Sequence, residues 1–496
     1  MSVVIAVDAG TTGVRAFALG ADGAARGFAY REFPQHFPRP GRVEHDPRDI
    51  WDAVQATLAE LAATLDEPVA AVGITDQRET LVAWDRRSGD PVHRAIVWQD
   101  RRTAARCDEL REAGHEAAIR RRTGLVLDPY FTATKAEWLL TEGGVEPGPD
   151  LALGTVDAWI LWNLTGGTDG GAFCTEASNA SRTMLFDIRE LAWSDELLDL
   201  FGVPRSALPE VRPSSGRFGV TVAGCGLPAG IPVAGMAGDQ QAALFGQACL
   251  EAGMTKNTYG TGSFVLMNVG DTCPEPVEGL LTTVAWTLSD GTVAYALEGA
   301  IFITGAAVQW LRDGLGVIAE AAEISALAAS VPDSDGCVFV PAFTGLGSPW
   351  WDPYARGTIA GITRGTTRAH LARAVLEAVA LQTRDVVVAM SDAGGHPIRA
   401  LKADGGASAS DVLLQLQADH LQVPVSRPVI QETTALGAAY LAGLAEGVWS
   451  SPSEITANWR LDATFEPGAD LAALEAQQAL WARALDRSRG WAASEI

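Results

Sequence analysis

The chain has 496 residues, with 37 Lys+Arg against 61 Asp+Glu and a formal net charge of −24. That balance excludes nucleic acid and an anionic membrane as main partners, since both require a basic face. No uncharged apolar stretch approaches the ~20 residues of a membrane-spanning helix, so no membrane insertion is expected.

Length and composition together predict a multidomain globular protein, with 47% apolar and 20% charged residues. Lysine occurs only at positions 135, 256 and 402. These follow Thr134, Thr255 and Leu401, which excludes the Gly-Lys-Ser/Thr of a P-loop. The six cysteines are scattered without a Cys-x-x-Cys pair and read as reduced thiols of a cytoplasmic protein. No basic stretch opens the sequence, so no signal peptide is expected.

Residues 3–8 (VVIAVD) form a continuous apolar run closed by a carboxylate, the pattern of a buried strand. Gly10-Thr11-Thr12-Gly13 follows as a turn, then strand-like runs at 14–19 and 25–32, giving an antiparallel meander with a Gly/Thr tip. Amphipathic periodicity predicts a helix over 48–65, led by Asp46-Pro47, and a strand over 69–75. The opening pattern returns at Lys256: a short run, Gly260-Thr261-Gly262-Ser263, then Phe264–Met267. Two such hairpins half a chain apart predict two similar α/β domains facing each other, 1–247 and 248–496. Helices are expected at 369–390, 411–420 and 469–488. Between the first two, Asp404-Gly405-Gly406-Ala407-Ser408 lets backbone approach a ligand closely.

His-Glu-x-x-His, Gly-x-Ser-x-Gly and metal-spaced histidine pairs are missing, which leaves acids and glycines at strand ends. Asp8 ends a strand that otherwise buries Val and Ile. It caps the amides of Gly10–Thr12 or, with a polyphosphate at the tip, holds Mg²⁺. Asp239 follows the Gly-rich run 233–238 and is either a helix N-cap or a general base taking a proton from an attacking alcohol. Arg78-Glu79 is either a solvated pair or a grip on adjacent hydroxyls. For a small polyol, Trp98, Tyr130-Phe131 and Phe264 are available as apolar walls, or else belong to the core.

Twelve ordered segments carry a family likeness. In the first half they are VDAGTTGVRA (7–16), VEHDP (43–47), GITDQRET (73–80), AIVWQDRRT (95–103), GLVLDPYF (124–131), SNASRTMLF (178–186) and AGDQQAALFGQ (237–247). The rest are KNTYGTGSF (256–264), ALEGAIFITGAAVQWLRD (296–313), VPAFTGLGSPWWDPYARG (340–357), ADGGAS (403–408) and TALGAAYLAGLA (434–445). End to end, the sequence resembles the glycerol kinases of the FGGY carbohydrate kinase family.

The resemblance implies an actin-like (ribonuclease H-like) α/β fold, two domains closing over a cleft, and transfer of the ATP γ-phosphate to the 3-hydroxyl of glycerol. It puts Arg78, Glu79, Tyr130, Asp239 and Gln240 on glycerol, with Trp98 and Phe264 as walls and Asp239 as base. Thr11, Thr12, Gly13, Arg15 and Thr261 would meet the phosphates, and Asp8 would face Mg²⁺. Gly305, Gln309 and Gly406 would bind the nucleotide, with Ser410 where relatives place a base-contacting Asn. A homodimer or homotetramer is implied too.

The sequence departs from the family pattern at Ala9, Gly13, Asp76 and Asp100, the last two adding acids expected near the substrate. The stretch Thr221–Gly235 lacks Arg and Lys, so regulation there by a sugar bisphosphate is expected to be absent.

Overall fold

The computed structural model describes residues 2–492. Its first sheet is built from six strands: β1 (Val3–Ala9), β2 (Gly13–Gly20), β3 (Ala25–Glu32), β4 (Val69–Asp76), β5 (Ser215–Val220) and β6 (Pro232–Gly238), in the order β5-β6-β4-β1-β2-β3. The second has seven: β7 (Thr255–Tyr259), β8 (Ser263–Gly270), β9 (Leu281–Thr287), β10 (Val293–Ile301), β11 (Leu401–Asp404), β12 (Val425–Pro428) and β13 (Leu461–Phe465), in the order β9-β10-β8-β7-β11-β12-β13.

The pairing senses repeat between the sheets. β1 runs antiparallel to β2 and parallel to β4, as β7 runs antiparallel to β8 and parallel to β11. The β4–β6 and β11–β12 pairs are parallel, and each closes on an antiparallel edge strand, β5 or β13. The second sheet is thus the first with one further edge strand, β9. The duplicated α/β architecture expected from the two hairpins is present, in the actin-like arrangement the resemblance implied.

Helices cover the sheets: α1 (Pro47–Ala62), α2 (Val156–Leu164), α3 (Asp239–Gly246), α4 (Gly305–Asp313), α5 (Arg368–Gly394), α6 (Asp411–Leu421), α7 (Thr433–Ala445) and α8 (Leu471–Ser488). Helix α1 starts where Asp46 caps Arg48 N. It ends before the expected residue 65, because Pro68 forces the preceding Glu67 toward extended backbone and the chain needs room to turn into β4. With α2 it buries one face of the first sheet around Ile5, Val7, Val54, Leu58 and Ile160.

The other face of that sheet is covered by α7, a helix from the far end of the chain, with α3 beside it. Their approach is backbone on backbone. A Cβ on Gly437 would lie 1.8 Å from Ala242 O, and one on Gly73 would lie 2.1 Å from Ala438 O. Only glycine fits at such contacts. Helices α4, α5, α6 and α8 enclose the core of the second sheet. No helix of the described residues is long and apolar enough to cross a membrane.

Candidate active site between the two sheets

Each Gly/Thr turn joins two antiparallel strands, 10–12 between β1 and β2 and 260–262 between β7 and β8. Gly10 N donates to Gly13 O at 3.0 Å, and Gly260 N donates to Gly262 O at 2.8 Å, so the second tip is one residue tighter than the first. The second tip is fixed to the start of α4: Thr304 N and Ala306 N donate to Thr261 O, and Gly305 N to Gly260 O. Gly305 is needed there, since a Cβ would stand 2.7 Å from Gly260 O. At the first tip, a Cβ on Gly13 would lie 2.7 Å from the Tyr30 hydroxyl and 2.5 Å from Arg31 O, which accounts for glycine in place of serine.

A closed ring of hydrogen bonds backs the first tip. Trp98 Nε1 donates to Thr11 Oγ1 at 2.9 Å, and Gln35 Nε2 donates to Thr11 O at 2.6 Å. Gln35 Oε1 meets His45 Nε2 at 3.0 Å, and His45 Nδ1 meets Gln77 Nε2 at 3.3 Å. Gln77 Nε2 also reaches Gly10 O, while Thr80 Oγ1 donates to Gln77 Oε1 and accepts from Trp98 N. The amide oxygen of Gln35 requires a donor, so His45 carries its proton on Nε2 and accepts at Nδ1. Burial lowers its pKa to about 4, in keeping with a neutral ring.

Asp8 and Arg15 are direct cross-strand partners on β1 and β2. Burial raises the Asp8 carboxyl to about 7; Arg15 pulls it down, while Asp239 and Glu432 push it up. Arg15 stands against Glu432 at 3.8 Å and over the rings of Phe28 and Tyr30, with a buried Nε that has no partner among the described residues.

The floor of the cleft is a buried ion cluster. Arg78, just past β4, donates Nη1 to Glu298 Oε2 at 2.5 Å and Nη2 to Glu298 Oε1 at 3.1 Å. Its Nε lies 3.1 Å from Asp239 Oδ1, and its guanidinium stacks over Phe264. Arg182 completes the group, donating Nε to Glu79 Oε1 at 2.6 Å and Nη2 to Glu298 Oε1 at 2.8 Å. Gly238 makes room for Arg78, whose Cγ would lie 2.7 Å from any Cβ there. Arg78, Glu79, Arg182 and Glu298 are all buried, whereas 29% of the Asp239 side chain is exposed to the cleft. Burial raises the Asp239 carboxyl above the usual range, opposed by Arg78.

Glu79 has a left-handed backbone (φ 63°), a conformation that strains a non-glycine residue and is held by its surroundings. Its carbonyl accepts from Lys135 Nζ at 3.1 Å and Thr132 Oγ1 at 3.1 Å, and Lys135 also donates to Tyr130 O. Tyr130 receives Arg78 Nη2 at 3.4 Å and packs edge-on against Trp98, so the two rings line one side of the cleft. Gln240 follows Asp239 at the start of α3, and its Oε1 accepts from Lys256 Nζ at 2.5 Å.

Of the residues expected on polyol, Glu79, Tyr130, Asp239 and Phe264 all contact Arg78, Trp98 packs on Tyr130, and Gln240 follows Asp239 in sequence. Gln309 is exposed on α4, and Gly406 is exposed in the loop before α6. Ser410 caps α6, accepting from Leu413 N at 3.2 Å, and pairs with Ser325.

The two extra acids are buried. Asp100 is bonded by Arg102 and by Val43 N, and it is one of the charges that act on Lys135. Asp76 is buried under Asn179 Nδ2 and Asp157 N.

Missed from the sequence were Arg182, Glu298, Lys256 and the ring through Gln35, His45 and Gln77. A signal existed for Glu298: it is the lone charge in the apolar run VAYALEGAI, and a buried charge needs a partner.

Family models match on both sides of the cleft. The N-terminal domain of the FGGY family of carbohydrate kinases matches residues 3–246, and the C-terminal domain of that family matches 255–446. Glycerol kinase 2 of Thermotoga maritima is 54% identical over 99% of both chains, and the glycerol kinase of Aromatoleum aromaticum is 54% identical over all of both. The crystal structure of Plasmodium falciparum glycerol kinase with ADP superposes with a TM-score of 0.91 at 32% identity, covering 98% of each chain. A gluconate kinase from Lactobacillus acidophilus, at 22% identity and a TM-score of 0.88, shares the fold. The chain belongs to the FGGY family of carbohydrate kinases.

Proposed function

We propose that this kinase phosphorylates glycerol with ATP, giving sn-glycerol 3-phosphate. One observation supports the reading most directly: the Asp239 side chain remains 29% exposed while Arg78, which holds it, is buried. The glycerol kinase names of relatives sharing more than half of the sequence support the choice of polyol.

Residues 1–247 supply the polyol and phosphate side, and 248–496 the nucleotide side. Glycerol lies between Trp98 and Phe264, with hydroxyls met by Arg78, Glu79, Tyr130 and Gln240. Asp239 accepts the proton of the attacking hydroxyl as the oxygen closes on the γ-phosphorus, and the bridging oxygen leaves with ADP. The backbone and hydroxyls of Thr11, Thr12 and Thr261, the bare backbone of Gly13, and the part-exposed guanidinium of Arg15 take phosphate oxygens. Gly305, Gln309 and Gly406 border the nucleotide, and Ser410 holds the shape of that loop.

Asp8 fits a divalent cation. Its carboxylate has no hydrogen-bond donor among the described residues and is pushed to about 7 chiefly by burial, with acids nearby. No cluster of three or more metal-ligating side chains occurs among the described residues, in keeping with an ion that arrives on the phosphates and takes one carboxylate. Bound there, Mg²⁺ would neutralise charge on the phosphate oxygens.

The test is an ADP-release assay with the purified protein, Mg²⁺ and ATP. Glycerol-dependent turnover is expected; turnover with a pentulose or gluconate and none with glycerol sinks the reading.

A further inference from the structure

Lys256 sits on β7, in the second sheet, with its side chain fully buried. Its ammonium crosses to the first half of the molecule, donating to Gln240 Oε1 at 2.5 Å and to Thr258 Oγ1 at 2.8 Å. Around it stand Asp404 from β11, Asp239 from α3, Arg78 from the end of β4 and Glu298 from β10. An ammonium only donates, so the end of the Gln240 amide that faces it is the oxygen. The nitrogen is thereby directed away from Lys256, and its two N–H donors have no partner among the described residues.

We propose that Lys256 is a positioning residue for polyol recognition: by occupying Oε1 of Gln240 from the opposite half of the molecule, it fixes which end of that amide meets the substrate. The inference rests on the proposed contact between Gln240 and glycerol. It specifies that contact further: the substrate atom facing Gln240 is an acceptor, a hydroxyl or carbonyl oxygen. Without the ammonium the amide is free to turn over and present its carbonyl, which no longer discriminates in this way. The contact also makes polyol binding depend on the two halves being together.

The ammonium form has a limited range. Burial lowers the lysine to about 8, with Asp404 and Asp239 opposing. Above that pH the proton leaves and Gln240 loses its donor.

The experiment is a double-mutant cycle on the full chain, with Lys256→Met, Gln240→Ala and both together, read as kcat/KM for glycerol and KM for ATP. Each single variant is expected to lose about 10–100-fold in kcat/KM for glycerol, the scale of one charge-assisted hydrogen bond, with KM for ATP changed less than about threefold. The double variant is expected to be no worse than the poorer single, because both act through one amide. Losses that multiply, or a Lys256→Met enzyme within about threefold of wild type, overturn the proposal.

A second measurement needs no variant of Lys256. Calorimetric affinity of the wild type for glycerol without nucleotide should fall as pH rises through about 8, and in Gln240→Ala that fall should vanish. A flat wild-type profile, or the same fall in Gln240→Ala, overturns it. If the wild type turns over another polyol and not glycerol, only the choice of substrate fails, and the same cycle on that polyol decides the role of Lys256.

Discussion

Arg78 and Glu298 meet through two hydrogen bonds, at 2.5 and 3.1 Å, across 220 residues of sequence. The pair joins the end of one sheet to the middle of a strand in the other, and both side chains are buried. Removing one member of such a pair leaves an uncompensated charge, at a cost of about 3–5 kcal/mol. Glu298→Gln is therefore expected to destabilise the protein by that order in urea unfolding, and to raise KM for glycerol as Arg78 is released.

The same carboxyl gives a pH signature. Burial acts to raise Glu298, but Arg182 and Arg78 outweigh it and hold it at about 2. A depressed carboxyl contributes stability at neutral pH that is lost as the pH falls below the ordinary value of about 4.3 toward the folded one. His45 acts at higher pH: lowered to about 4, it stays neutral in the folded protein while the unfolded chain takes up a proton below about 6.5. Carboxyls raised by burial, such as Asp8, act in the opposite sense over the same range, so the His45 contribution is read as a difference: the melting temperature of His45→Gln should rise relative to wild type as the pH falls from about 6.5 to about 4. An identical profile in the variant removes His45 as a contributor.

Asp239→Asn keeps the shape of the side chain and removes the base. Turnover is expected to drop by about 10²–10⁴-fold with KM for ATP little changed. Because burial disfavours the charged form of Asp239, the melting temperature should hold or rise. In the wild type, kcat/KM for glycerol should fall on acidification through a pKa above the usual carboxylate range. Full turnover in Asp239→Asn excludes this residue as base.

The Trp98–Thr11 bond links the polyol wall to the phosphate turn. Trp98→Phe keeps the wall and removes the donor, at about 0.5–1.5 kcal/mol for one neutral hydrogen bond. The expected result is a rise of about two- to tenfold in KM for ATP, larger than any change in KM for glycerol. The reverse pattern would place Trp98 on the polyol alone.

Much of this was legible in the sequence, for identifiable reasons. Strand β1 and both turns announced themselves because a buried strand must be apolar and a tight tip needs glycine. Asp8, Asp239 and the Arg78-Glu79 pair stood out as charges beside apolar runs. The family likeness assigned roles that spacing alone left open between caps and catalysts. What escaped were partners brought together by tertiary approach. Arg182 and Glu298 lie 116 residues apart and meet only once two sheets face each other. Gln35, His45 and Gln77 form a ring that no local period records. Asp100 is a similar case: one of its oxygens is taken by Val43 N, 57 residues away in sequence.

The docking of α7 bears on where the molecule can bend. Gly73, Gly235, Gly246 and Gly437 let this late helix lie against β4, β6 and α3 with no side chain between. It therefore moves as part of the first sheet, although the strands before and after it, β12 and β13, belong to the second. The backbone crosses between the two halves not once, after α3, but three times: into β7, from β12 into α7, and from α7 back toward β13. A rotation that narrows the cleft has to be shared among three connections, a triple hinge whose axis is far more constrained than that of a single tether.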